Sequence, residues 1–197
     1  MKKAMKKVFL ILAMTLMLAS FAACSGADTS LFDEILPADK ALSEAMNSDA
    51  VVFDGAVCIS GRDIWDEFCA EVEKGEPAEV LCATYYSIDP ERMTPELYEQ
   101  EKDSYPQMFF TLVKFDGEKY SYATRLSSDT ELDSQGEYAH MLHFTGNLNP
   151  QATYDHYEYY VLADDPDVTW EKIERGMFSS RSDDIIPHKT VFMNMYD

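Results

Sequence analysis

Across 197 residues the chain holds 36 Asp and Glu against 16 Lys and Arg, a formal charge of −20. That balance excludes nucleic acid as a partner, because neutralising phosphates takes Lys and Arg that displace counterions. A hydrophobic share of 46%, with 12 Tyr and 11 Phe, excludes an intrinsically disordered chain, which lacks the apolar surface to offset its conformational entropy.

The N-terminus reads as an export address. Lys2, Lys3, Lys6 and Lys7 form a basic segment, and Val8 to Ala19 is an uninterrupted weakly polar to apolar run of 12 residues. That is signal-peptide length, short of the roughly 20 residues needed to span a bilayer. Phe21-Ala22-Ala23-Cys24 resembles a lipobox, with Phe21 where the pattern favours Leu. The resemblance implies residues 1–23 as a lipoprotein signal peptide and Cys24 as the acceptor of diacylglycerol. Two acyl chains, at about 0.8 kcal/mol per buried methylene, make a stable anchor. Cleavage after Ser20-Phe21-Ala22 by a general signal peptidase, or retention of the run as an uncleaved anchor, are the alternatives. All three expect the rest of the chain outside the cytoplasm.

Without residues 1–23 the chain loses four lysines and no acid, leaving 12 Lys and Arg against 36 Asp and Glu, a charge of −24 over 174 residues. Such a surface repels anionic headgroups, so the acyl anchor and not the domain holds it at the membrane. Residues 24–36 are expected to tether a single acidic domain over 37–197. Its three cysteines, Cys58, Cys69 and Cys82, permit at most one disulfide. None forms a Cys-x-x-Cys, and each sits in an apolar run, where a buried thiol is the default. A Cys58–Cys82 bridge between neighbouring strands is the alternative.

Pro37 opens a helix through residue 48. Residues 50–59 read as a strand kinked at Gly55. Ser60 and Asp63 have capping-box spacing, and Ile64, Trp65, Phe68, Cys69 and Val72 share one face of the helix that follows, ended by Gly75. A strand over 79–88 leads to Thr94 and Pro95, cap and first residue of an exposed helix. Asp116-Gly117 between two alternating runs predicts a two-residue hairpin pairing Phe115 with Glu118, Val113 with Tyr120, Thr111 with Tyr122 and Phe109 with Thr124. A polar loop covers 127–136, strands cover 137–145 and 153–163, and Asp164 to Asp167 make an acidic turn. Thr169 caps a helix with Trp170, Ile173 and Met177 inward, and 190–196 is a last strand. The order predicts an α+β fold: a mainly antiparallel sheet of about five to seven strands with helices packed on one face.

Few constellations suggest chemistry. His140 and His143 lie three apart on a strand and therefore point to opposite faces. Across the sheet, His156 or Asp155 are their candidate partners. Asp129, Glu131 and Asp133 place oxygens at alternate positions, as calcium loops do, and Asp164, Asp165 and Asp167 do the same. Both depart from the EF-hand, since Gly136 falls at the eighth position of the first loop and His140 at the twelfth. Weak calcium binding is the alternative to solvated loops, and no other cofactor is expected. Gly-x-Ser-x-Gly, Ser-x-x-Lys and His-Glu-x-x-His motifs do not occur. Tyr154, Tyr157, Tyr159 and Tyr160 read as an aromatic strand before a sugar platform.

The segments DGAVCISGRDIWDEFCAEVEKGEPAEV and TLVKFDGEKYSYATR resemble small lipoproteins of unknown function in Gram-positive bacteria. The resemblance covers residues 50–126 and implies an envelope habitat but no activity. The expected function is a membrane-tethered, non-enzymatic domain that binds an envelope protein, peptide or wall component. A deep pocket with convergent polar groups would count against it. The alternatives are an acidic divalent-cation binder and, third, a wall or polymer hydrolase, for which a histidine within hydrogen-bond reach of a carboxylate in a cleft is the discriminator.

Overall fold

The structure, a computed structural model, describes residues 41–197 apart from Thr130. The signal segment, Cys24, the tether and the first residues of the expected domain lie outside the described residues. The described chain runs α1 (Ala41–Ala45), β1 (Val51–Asp54), β2 (Val57–Ser60), α2 (Arg62–Glu73), β3 (Ala78–Tyr86), α3 (Pro95–Glu101), β4 (Gln107–Phe115), β5 (Tyr120–Leu126), β6 (Ser134–Tyr138), β7 (His140–Asn147), β8 (His156–Ala163), α4 (Trp170–Met177) and β9 (His188–Tyr196). The class is α+β, as expected. The strands divide into a six-stranded sheet, β2-β1-β3-β4-β5-β6, and a three-stranded one, β7-β8-β9. Every pairing is antiparallel except β1 with β3, whose connection passes through α2.

Alternation along the strands divides the apolar residues among three cores. One face of the large sheet buries Val52, Ala83, Met108, Phe110, Leu112 and Ala123 beside Ala45 of α1. The other face sends Val51, Phe53, Val80, Cys82, Val113, Phe115 and Tyr120 against Trp65 and Phe68 of α2 and against Leu162, Val191 and Phe192 of the small sheet. The outer face of the small sheet packs Tyr159, Val161 and Ala163 on Ile173 of α4. Trp65 is fully buried, with its ring 4.7 Å from Phe192, 5.1 Å from Tyr160 and 5.4 Å from Phe68. Side chains of this kind contribute about 1.5–3 kcal/mol each by leaving water.

The two sheets also meet at both margins. Only Ala139 separates β6 from β7, and on the other side Met195 N donates to the Ala56 carbonyl at 2.9 Å. At β9 the pairing slips: Tyr160 faces Phe192 but Val161 faces Thr190, so Val191 is an extra residue. This β-bulge lets Val191 and Phe192 both enter the core between the sheets.

Several local expectations need correcting. Residues 50–59 are not a kinked strand but a hairpin, β1 turning into β2 at Gly55-Ala56. The N-cap of α2 is Gly61, in a left-handed conformation with φ 73° and no side-chain cap, while Ser60 ends β2. The β4–β5 hairpin pairs Phe115 with Tyr120, Val113 with Tyr122, Thr111 with Thr124 and Phe109 with Leu126. Asp116 and Lys119 bracket the turn, because Asp116 N donates to the Lys119 carbonyl and its carboxylate accepts from Glu118 N and Lys119 N, both at 2.8 Å. The central pair is thus Gly117-Glu118, and the register moves by two. Strand period being two, the same side chains keep the same face. Met177 is exposed, and Gly176 takes the inward position beside Ile173. The cap of α3 is as expected: Thr94 Oγ1 accepts from Leu97 N at 3.3 Å. Cys58, Cys69 and Cys82 are free thiols. A Cys58–Cys82 bridge is sterically barred, because β1 lies between β2 and β3. Two strand spacings of ~4.8 Å exceed the ~7 Å reach of a disulfide.

Candidate functional site

Between the sheets, beyond the space filled by α2, lies a cavity of about 340 Å³. Its floor follows from strand register. Phe53, Thr84 and Phe109 form one cross-strand row on β1, β3 and β4, and Cys82, Thr111 and Thr124 form the next on β3, β4 and β5. Lys189 to Met193 of β9 form the roof, with Asp133 and Tyr86 at the margins. Phe53 meets Phe192 edge-on at 5.3 Å, and Tyr86 meets Phe109 edge-on at 5.9 Å. The first contact ties floor to roof, and the second lies within the large sheet.

The polar groups converge from separate elements. Thr111 Oγ1 and Thr124 Oγ1 lie 3.0 Å apart. One hydroxyl donates to the other, which leaves a second O–H proton available to a ligand. Lys189, opposite Leu162 on an inward-facing register, is half-buried, and its Nζ stands 5.0 Å over the Tyr122 ring. Burial pushes this ammonium below the ordinary lysine value, and the Asp133 carboxylate opposes that shift in part. Among the described residues Lys189 makes no hydrogen bond or ion pair to an oxygen. A desolvated cation lacking an acceptor is costly unless something else supplies one.

A second cluster ties α2 to the small sheet. Glu158, buried on β8, accepts from Arg62 Nη1 through Oε2 and from Arg62 Nη2 through Oε1 at 3.0 Å. His143 Nε2 lies 2.9 Å from the same Oε1. Against an ionised carboxylate that nitrogen carries the proton. The His143 ring stacks on Tyr160 at 4.2 Å. Burial works against the Glu158 charge, but the Arg62 and His143 bonds outweigh it and hold the carboxyl below its ordinary value. Cys58, on neighbouring β2, has its thiol pushed up by burial, the opposite of an activated nucleophile. None of Arg62, His143 and Glu158 lines the cavity between the sheets. A histidine does reach a carboxylate, but no activated hydroxyl or thiol completes it among the described residues.

The acidic residues singled out in the sequence are dispersed. Asp129 accepts from the Ser128 hydroxyl at 3.2 Å, and Glu131 is exposed. Asp133 lines the cavity, its own N–H donating to the Thr124 carbonyl at 2.9 Å. The expected loop is cut short, since Gln135, Gly136 and Glu137 pair with β5 inside β6. Asp164 accepts from Ala139 N at 3.1 Å, and so braces the crossing from one sheet to the other. Asp165 accepts from Asp167 N at 2.9 Å in a local turn. Among the described residues no three His, Cys, Asp or Glu side chains are grouped to hold a metal ion. His140 faces Ala163 on the outer side of the small sheet while His143 faces inward, and His156 Nδ1 lies 2.9 Å from Asn147 Oδ1. Tyr157 and Tyr159 stack at 4.7 Å against Trp170 in the core under α4, so they are not an open platform.

Sequence reasoning missed Lys189 and Glu158. A lone lysine in HKTVFMNMY reads as the solvent side of an alternating strand, and only the bulge reverses that. Glu158 did carry a signal: a carboxylate amid HYEYYVLA needs a partner if buried. Comparison with protein-family models, curated proteins and solved structures gave no match for this chain.

Proposed function

We propose that this protein is a lipid-anchored extracytoplasmic binding module whose site is the cavity between its two sheets. The observation that carries the reading is the half-buried Lys189 ammonium, without an acceptor oxygen among the described residues, at the edge of a cavity that also offers threonine hydroxyls and aromatic walls. A volume of about 340 Å³ falls at the lower end of the ~300–1,000 Å³ of small-molecule sites. The ligand is therefore a small molecule, in place of the envelope protein, peptide or wall component expected from the sequence. The reading does not draw on His143, beside which no activated hydroxyl or thiol stands among the described residues.

Anchoring rests on Cys24 and the basic and apolar segments before it. Cells fed labelled palmitate should incorporate it into the native chain and not into Cys24→Ser. For the cavity, a thermal-shift screen of small metabolites against the full-length chain and against Thr84→Phe, which fills the floor, is decisive. Saturable stabilisation of the native chain that the filled variant loses supports the reading. Stabilisation equal in both would move the site elsewhere.

A further inference from the structure

Two opposite charges line the cavity and do not neutralise each other. Lys189 and Asp133 both border it, and Asp133 acts on Lys189 through space, yet no ion pair joins them among the described residues. A ligand carrying only an anion would meet Lys189 favourably and Asp133 unfavourably. It would also approach a chain of formal charge −20, whose field repels anions. A ligand carrying only a cation would leave Lys189 desolvated without an acceptor. A molecule with both charges and no net charge satisfies each group and is indifferent to the overall field.

Resting on the cavity as the binding site, we infer that its ligand is a small zwitterion of the α-amino-acid type with an apolar side chain. The carboxylate takes the Lys189 ammonium, the ammonium takes the Asp133 carboxylate, and the side chain lies among Phe53, Phe109 and Phe192. The free O–H of the Thr111–Thr124 pair is a further donor to the carboxylate. An amino acid or a dipeptide suits about 340 Å³, and a longer peptide does not.

The test is calorimetric titration of the full-length chain in detergent with phenylalanine and leucine. N-acetylphenylalanine, which keeps only the anion, and phenylalanine amide, which keeps only the cation, serve as comparators. The zwitterions should bind saturably and at least ~10-fold tighter than either comparator, the scale of one charge-assisted hydrogen bond. Lys189→Met and Asp133→Asn should each lose a similar factor, with circular dichroism confirming that both fold. N-acetylphenylalanine binding as tightly as phenylalanine, or full affinity in Asp133→Asn, overturns the zwitterion and leaves the cavity as a site for a simple anion. No binding by any amino acid also overturns it. A metabolite of another class whose binding Thr84→Phe abolishes then keeps the cavity reading, and the absence of any such metabolite ends both.

Discussion

Replacing Gly61 with alanine tests how α2 is seated against β1. At φ 73° an L side chain costs about 1–2 kcal/mol. A Cβ there would also stand 2.3 Å from the Ala50 carbonyl oxygen and 3.0 Å from Val51 Cα. Neither is the loose end of a side chain. Ala50, Val51 and Val52 are buried at 1%, 0% and 0% exposure, so relief requires moving a packed strand, at about 1–3 kcal/mol for overpacking of this kind. The total is roughly 2–5 kcal/mol, or a melting temperature lower by about 4–20 °C for a domain of this size. Gly75 is the internal control. It has φ 76° but nothing within 4 Å of its would-be Cβ, so Gly75→Ala carries only the conformational cost of about 1–2 kcal/mol. Both variants are read by urea unfolding followed through tryptophan fluorescence, since Trp65 lies one turn along the same helix. Equal losses in the two variants would refute the steric argument and mean that β1 yields freely.

Three further outcomes are expected. Glu158→Gln should lower stability at neutral pH by about 1–2 kcal/mol, discounted for the 43% exposure of the Arg62 side chain. Because the fold holds the Glu158 carboxyl below its ordinary 4.5, its stabilisation is whole above that value and is lost as pH falls through the lower folded one. Native and variant melting temperatures should therefore converge on acidification below 4.5, and a constant gap would contradict the assignment. Thr111→Val and Thr124→Val should each destabilise by about 1 kcal/mol, and the double variant by less than their sum. Strict additivity in a double-mutant cycle would deny the hydroxyl pair. Thiol titration in denaturant should count three reactive cysteines, Cys58, Cys69 and Cys82, with Cys24 blocked as a thioether; four would remove the lipid. In the native state the thiols should react slowly, since burial pushes Cys69 up to about 11 and Cys82 higher still.

Legibility in the sequence followed the range of the interactions. The faces of β4 and β5 were readable because alternation survives a two-residue slip, and the inward stripe of α2 because helical spacing is local. The Thr94-Pro95 start of α3 was readable for the same reason. The division into two sheets was not, because YAHMLH carries no break: the crossing at Ala139 is fixed by Asp164, 25 residues away. The Arg62–Glu158 link spans 96 residues, and helix α2 announces only that Arg62 is polar. The cavity was least legible, since the three threonines of its floor look like ordinary strand formers until register sets them beside Phe53, Phe109 and Cys82.

The extra residue at Val191 has a consequence for how this strand can change over generations. Lys189 and Phe192 are three positions apart and would face opposite ways on a regular strand; the slip between them brings both inside. It works as a phase shifter, separating a segment that borders the cavity from one that is geared to the aromatic core. Substitutions at Lys189 can change the charge facing the cavity without disturbing the meshing of Phe192 with Trp65. Removing Val191 would leave a regular strand on which Lys189 and Phe192 still share the inward face, so the deletion would take one valine from the core and spare both the cation and the phenylalanine.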